Sequence, residues 1–172
     1  YYEGLDKVAH EYGLDDHYDA ELRWVDHLVA DLLDVLPTGS VLAVVADHGQ
    51  VDVGDNLVEL HPGIRDHLSM QSGEGRFRWL HARPGRSRQL LEAAEAHADT
   101  GWVVSRDQMI DEGWFGPRVT DQARSRLGDV ALVAREPVAY VDPADTGPYH
   151  LIGRHGSLTE DEMLVPFVAA IA

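Results

Sequence analysis

Three short stretches carry residue types that hold divalent metals. Asp6 and His10 stand four apart near the start, Asp47-His48-Gly49 follows the apolar run 41–46, and His155 lies in Gly153-Arg154-His155-Gly156. A spacing of four puts Asp6 and His10 on one side of a helical turn, about 5–6 Å apart at Cβ. A carboxylate and an imidazole at the carboxyl end of a strand, where open α/β sheets bind ligands, suit an ion taking nitrogen and oxygen donors. Glycine on both sides of Arg154-His155 lets the backbone pass close to a bound ion or phosphate. Each piece alone also has an ordinary reading. Asp47 could cap a turn, Asp6 and His10 could be a helix-surface pair, and His155 could be a surface histidine.

The elements that must position these residues follow from periodicity and punctuation. Val41–Ala46, rich in branched apolar residues, reads as a buried strand delivering Asp47 and His48 at its end. Before it, Leu22, Val25, Leu28, Val29, Leu32, Leu33 and Leu36 recur at helical spacing. Asp15, Asp16 and Asp19 offer caps and first-turn charge, and Pro37 and Gly39 stop the run. This predicts an amphipathic helix packing on a sheet. Residues 49–75 read as a long loop with one helical turn near Ile64–Met70. Strands are expected at Phe77–Ala82, Trp102–Val104, Asp129–Ala134, Val138–Val141 and Leu164–Ile171. Helices are expected from a Ser87 cap to about Ala98, from Ser105 to Glu112, and after Thr120. Residues 142–158 form a second long loop. Alternating helices and strands make the class α/β, and residues 65–140 could be a small inserted subdomain.

Composition bounds the rest. The 172 residues suffice for a domain with a real core, and 44% apolar with 26% charged is a globular composition. No apolar run is long enough for a transmembrane helix. With no cysteine there is no disulfide framework and no thiolate metal site, and the compartment leans to the cytoplasm. A net charge of −16 disfavours nucleic acid and anionic membrane as partners. It leaves room for a small anionic substrate, because bound dications reverse the local field. The chain starts at Tyr1, not Met, inside what reads as a motif, so it is expected to be a piece of a longer protein.

Taken in order, Tyr2-x-x-x-Asp6-x-x-x-His10-x-x-Gly13, the strand into Asp47-His48-Gly49, and Gly153-x-His155-Gly156-Ser157 ahead of Val165-Pro166-Phe167 resemble the alkaline phosphatase superfamily. Within it, the pattern is most similar to the type I phosphodiesterase/nucleotide pyrophosphatase group. The resemblance is strong at these three motifs and vague between about residues 50 and 150. It implies a three-layer α/β/α fold with a mixed, mostly parallel sheet, of which this chain is the C-terminal portion. It implies two neighbouring divalent metal sites, with Asp6, His10 and His155 at one and Asp47 and His48 at the other. Zn2+ suits that donor set best, with Mn2+ or Fe as alternatives. The family completes the second site with another Asp and supplies a Thr or Ser nucleophile, both upstream of the Asp6 motif. Neither has a counterpart here; Thr38, Ser40, Thr120 and Ser157 lie in the wrong context. The implied activity is hydrolysis of phosphodiester or nucleotide pyrophosphate bonds, through a covalent phospho-enzyme. The implied partners are a small phosphate ester and the missing N-terminal part of the same protein. Other superfamily branches (phosphomonoesterase, phosphonate hydrolase, sulfatase or mutase) and a non-catalytic metal-binding remnant are the alternatives.

Several residues are set aside on ordinary grounds. His61, His67, His81, His97 and His150 read as surface or loop histidines, and His17 and His27 fall near the polar side of the first long helix. Arg76, Arg78 and Arg83 around Trp79 read as an exposed strand of alternating charge. Trp114-Phe115 reads as a satellite core rather than a cleft wall.

Overall fold

The computed structural model describes residues 1–147 and 150–172, which divide into two units. The first comprises Tyr1–Asp55, Gly147–His155 and Thr159–Ala172; the second comprises Asn56–Thr146 and Gly156–Leu158. Along the chain, the first unit holds α1 (Gly4–Tyr12), α2 (Asp16–Val35), β1 (Val41–Val45) and β2 (Val51–Asp52). The second holds β3 (Leu57–Val58), α3 (Pro62–Arg65), β4 (Leu68–Glu74), β5 (Phe77–Ala82), α4 (Ser87–Ala94), β6 (Gly101–Ser105), α5 (Arg106–Asp111), α6 (Asp121–Arg124), β7 (Val130–Ala134) and β8 (Ala139–Tyr140). The first unit resumes with β9 (Gly153–Arg154), α7 (Glu160–Met163) and β10 (Phe167–Ile171). The class is α/β as expected, and the pairing is mixed. The expected parallel majority is not found within this chain: among the described residues only β3 with β8 is parallel, and the other ladders are antiparallel. A tight connection such as that between β4 and β5 can only join antiparallel neighbours.

In the first unit, Asp15 caps α2 by accepting from the His17 backbone N–H at 2.8 Å, and the helix ends just before Pro37. Its expected packing on a sheet is replaced by packing on α1. Tyr2 stacks on Trp24 with ring centroids 5.3 Å apart, and its hydroxyl donates to Glu21. No residue of α2 is buried. Nor is β1 the buried strand that its composition predicts. Among the described residues it pairs only with β10, in the register Val41↔Ile171, Ala43↔Ala169 and Val45↔Phe167. That face is open, with Val41, Val45, Phe167 and Ile171 all more than 60% exposed. Branched apolar composition makes a strand, but burial needs a second layer, and these residues lack one. No described helix is long and apolar enough to cross a membrane.

The second unit is built on the sheet β4-β5-β7-β6. Every residue of β7 is buried. Leu80, Leu90, Ala94, Val130 and Leu132 form one core with Ile64 and Tyr140; Val104, Met109, Ala131 and Val133 form another. Trp114 packs on the second, as a satellite core should. Three local expectations change here. The stretch read as loop and helical turn contains β4, whose polar sequence LSMQSGE hides a strand stabilised by pairing with β5. Ser87 does not cap α4: it is the first helical residue, and its hydroxyl donates to Asp129. The helix stops at Ala94 and continues only as a 3-10 turn, Glu95–His97. Ser105 and Thr120 do cap their helices, accepting from the Gln108 and Ala123 backbone N–H groups at 3.2 Å each.

Three polar residues read as exposed are buried in this unit. Arg78 is 1% exposed; it donates to the Tyr140 carbonyl at 3.0 Å and to Asp145 at 2.7 Å, with Asp142 at 3.7 Å. Arg76 is likewise buried and donates to the Glu136 and Val138 carbonyls. A guanidinium can be buried when its fork finds fixed acceptors, a condition invisible in the linear pattern. His97 is also buried, with its Nε2 accepting from the His61 backbone N–H at 3.0 Å. Burial first, and the neighbouring His61 second, push its pKa below the ordinary histidine range.

Two outcomes follow. Arg78→Ala leaves buried acceptors unpaired and should cost roughly 3–5 kcal/mol, read by urea unfolding; a loss under 1 kcal/mol would contradict the buried network. For His97 the folded pKa lies below the unfolded value of about 6.5. Its contribution is therefore complete above that pH and is lost as pH falls through the folded pKa. His97→Gln should show a smaller drop in melting temperature than the parent between pH 7 and pH 5. An equal drop would show that His97 is not held neutral.

Candidate metal centre

Helix α1 places Asp6 and His10 one turn apart, with the His10 Nε2 at 3.4 Å from Asp6 Oδ1. Two glycines then bring the other ligand-bearing pieces in. A Cβ on Gly153 would overlap the Ala9 carbonyl of α1, so only glycine lets β9 pass this close. The approach is sealed by the Ile152 N–H donating to the His10 carbonyl at 2.8 Å. Gly49 donates its N–H to the Glu162 carbonyl at 2.8 Å, and a Cβ there would overlap the Asp161 carbonyl of α7. The short ladder of β2 with β9, Val51↔Arg154 and Asp52↔Gly153, ties the segment after Asp47-His48 to the segment before His155.

All five sequence-predicted ligands come together in the first unit. The His155 and His48 Nε2 atoms lie 3.8 Å and 4.0 Å from Asp6 Oδ1, and their rings stack with centroids 3.6 Å apart. Asp6, His48 and His155 offer donor atoms all within 4.8 Å of one another. His10 is at the edge of this group, its ring centroid 5.4 Å from that of His155. Asp47 is at the other edge, more exposed, with Oδ1 3.8 Å from the His48 Nε2. His48 Nε2 thus lies between the two carboxylates, 4.0 Å from Asp6 Oδ1 and 3.8 Å from Asp47 Oδ1.

The hydrogen bonds say what this cluster can bind. His10 Nδ1 meets the Gly153 carbonyl at 2.7 Å, and His48 Nδ1 meets the Gly49 carbonyl at 2.9 Å. A carbonyl oxygen only accepts, so both Nδ1 atoms carry the proton. A ring that is neutral in this tautomer has its lone pair on Nε2, the atom that faces the Asp6 carboxylate in both. Lone pairs and an anionic oxygen converging at these distances call for a cation between them, and a ring locked through its other nitrogen is the usual arrangement of a histidine ligand. The donor set thus fits a divalent ion taking nitrogen and oxygen. Asp47 accepts from its own backbone N–H, which first of all holds its pKa below the ordinary range, and the Tyr1 hydroxyl at 3.2 Å adds to this. That same bond raises the Tyr1 pKa.

Sequence reasoning missed Gln50, whose amide N–H donates to Asp6 Oδ1 at 2.6 Å. Only its place two residues after His48 could have drawn notice. The remaining histidines stay outside: His81 bonds Ser72 at 2.8 Å, His150 pairs with Asp55 at 3.3 Å, and His17 with Asp15 at 3.0 Å.

Among curated proteins, none matches the chain. Solved structures do. Murine ectonucleotide pyrophosphatase/phosphodiesterase 5, solved as an inactive Thr-to-Ala form in complex with AMP, superposes with a TM-score of 0.78 at 18% identity, over 98% of this chain and 45% of that one. The human protein of the same name gives 0.71 at 19%, with the same coverages. Phosphonoacetate hydrolase from Sinorhizobium meliloti 1021, in complex with phosphonoacetate, gives 0.66 at 21%, over 95% of this chain and 43% of that one. The fold is therefore a partial alkaline-phosphatase-like fold, and the chain spans under half the length of these structures. The family model for type I phosphodiesterase/nucleotide pyrophosphatase matches residues 1–158. With that match running through all three ligand-bearing motifs, the chain belongs to the type I phosphodiesterase/nucleotide pyrophosphatase family.

Proposed function

We propose that this chain is the C-terminal portion of a metal-dependent hydrolase of phosphodiester or nucleotide pyrophosphate bonds. Asp6, His10 and His155 serve one divalent ion, and Asp47 and His48 serve a second together with an Asp outside residues 1–172. Zn2+ is the preferred ion for this donor set, with Mn2+ or Fe as alternatives. The observation that carries the reading is Asp6 Oδ1 faced by three imidazole Nε2 atoms, two of them with Nδ1 held by backbone carbonyls. When bound, two such ions supply an electrostatic clamp for the attacking and leaving oxygens of an in-line displacement.

The chain's own residues hold and orient. His10 and His48 turn Nε2 toward the site, each with Nδ1 bonded to a backbone carbonyl, and Asp47 is held ionised by its lowered pKa. The attacking Thr or Ser lies outside this chain. Among its own hydroxyls, Thr120 is used as a helix cap and Ser157 donates to the Ala134 carbonyl. The murine neighbour's inactive Thr-to-Ala form and its AMP support a threonine nucleophile and a nucleotide product. The remainder of the protein packs on the open face of β1 and β10, and residues from about 65 to 140 form a subdomain inserted between the ligand-bearing loops.

The substrate class is tested on full-length protein with nitrophenyl diester, nitrophenyl monoester, nitrophenyl sulfate and phosphonoacetate. The diester should be hydrolysed with the highest kcat/KM. Preference for any of the others would move the protein to that branch of the superfamily. Residues 1–172 alone should show negligible turnover of the diester. A rate near that of full-length protein would mean that the nucleophile is in this chain and the site is misassigned.

A further inference from the structure

Gln50 donates a hydrogen bond to the carboxylate at the middle of the cluster. Its Nε2 lies 2.6 Å from Asp6 Oδ1, the same oxygen that faces His10, His48 and His155. The amide can be oriented only one way, since its oxygen would repel an ionised carboxylate. In that orientation Oε1 is buried without a hydrogen-bond partner. An unpaired buried amide oxygen is costly, whereas an apolar side chain of the same length would fill the space with no such cost. Stability of the fold therefore does not explain a glutamine here. Its bond to Asp6 does. An N–H donated to a carboxylate is among the stronger hydrogen bonds, and it pins Oδ1 toward the three imidazoles.

We propose that Gln50 is a positioning residue of the metal centre, setting the orientation of the Asp6 carboxylate rather than binding the ion. This rests on Asp6 and its histidines forming a metal centre, as proposed above. The donated N–H occupies one lone pair of Oδ1 and leaves another free for the ion. Without it, the carboxylate can rotate about its last bond and loses the alignment on which a close-set ligand group depends.

The experiment measures Zn2+ affinity of the full chain by competition with a chromogenic chelator, together with the melting temperature of the metal-free protein. Parent, Gln50→Met and Asp6→Asn are compared. Methionine keeps length and volume, removes the N–H and removes the unpaired oxygen. Gln50→Met should bind Zn2+ about 10–100-fold more weakly, the usual loss when a group orienting a ligand is removed. Its metal-free melting temperature should stay unchanged or rise. Affinity within twofold of the parent overturns the proposal. So does a parallel fall of affinity and melting temperature, which would mark Gln50 as merely structural. If the parent itself binds no Zn2+ and Asp6→Asn behaves identically to it, the metal-centre reading fails, and the positioning role fails with it.

Discussion

A single carboxylate oxygen, Asp6 Oδ1, sets the demands on the first unit. Three imidazole nitrogens from three separate stretches of chain face it, at 3.4, 3.8 and 4.0 Å. Gathering one anion and several lone pairs is unfavourable by itself, so something rigid must hold them together before any ion arrives. That rigidity comes from the backbone. The Gly153 carbonyl fixes the His10 ring, the Gly49 carbonyl fixes the His48 ring, and the His10 carbonyl receives the Ile152 N–H. His10 and His48 are thus each positioned by a peptide group, which has less freedom than any side chain.

The glycines make that backbone contact feasible. Gly153 lies against Ala9 of α1, and Gly49 against Asp161 of α7, both too close for a Cβ. Their role is close approach, not a left-handed turn; neither has a positive φ. Gly13 is different, with φ +80 at the end of α1, where its N–H closes the helix on the Ala9 carbonyl. Helix α1, the ladder of β2 with β9, and α7 are short elements. They owe their place to these contacts rather than to intrinsic propensity, which is too weak to hold a four-residue helix.

The second unit shows a different balance. Its core is ordinary, centred on the wholly buried β7, yet it encloses two guanidiniums and an imidazole. Arg76 and Arg78 are tolerated because carbonyls and Asp142 and Asp145 meet their forks; His97 is tolerated because it stays neutral. The first unit has the opposite excess, apolar residues with nothing over them, along Val41, Val45, Phe167 and Ile171. An open apolar face of this kind is the mark of a surface that packs against another surface.

Read without its structure, the chain already determined much. The capped, 3.6-periodic run 16–35, the branched run 41–45 and the strands at 77–82 and 130–134 depend on local preference, and they are where the pattern put them. That Asp6, His10, Asp47, His48 and His155 would be brought together was legible too, from the residue types and the order of their motifs. Tertiary structure decided the rest. The strand β4 exists because β5 pairs with it, and no local signal in LSMQSGE requires one. Burial of Arg76 and Arg78 depends on acceptors 60 to 67 residues away in the chain, and that of His97 on the backbone N–H of His61, 36 residues away. Whether β1 is covered depends on a second layer, not on its own composition. The grouping of His48 with Asp6 and His155, and the bond from Gln50 to Asp6, come from two close backbone approaches. Spacing along a chain states which residues are near one another in sequence; only the fold states which lone pairs face the same oxygen.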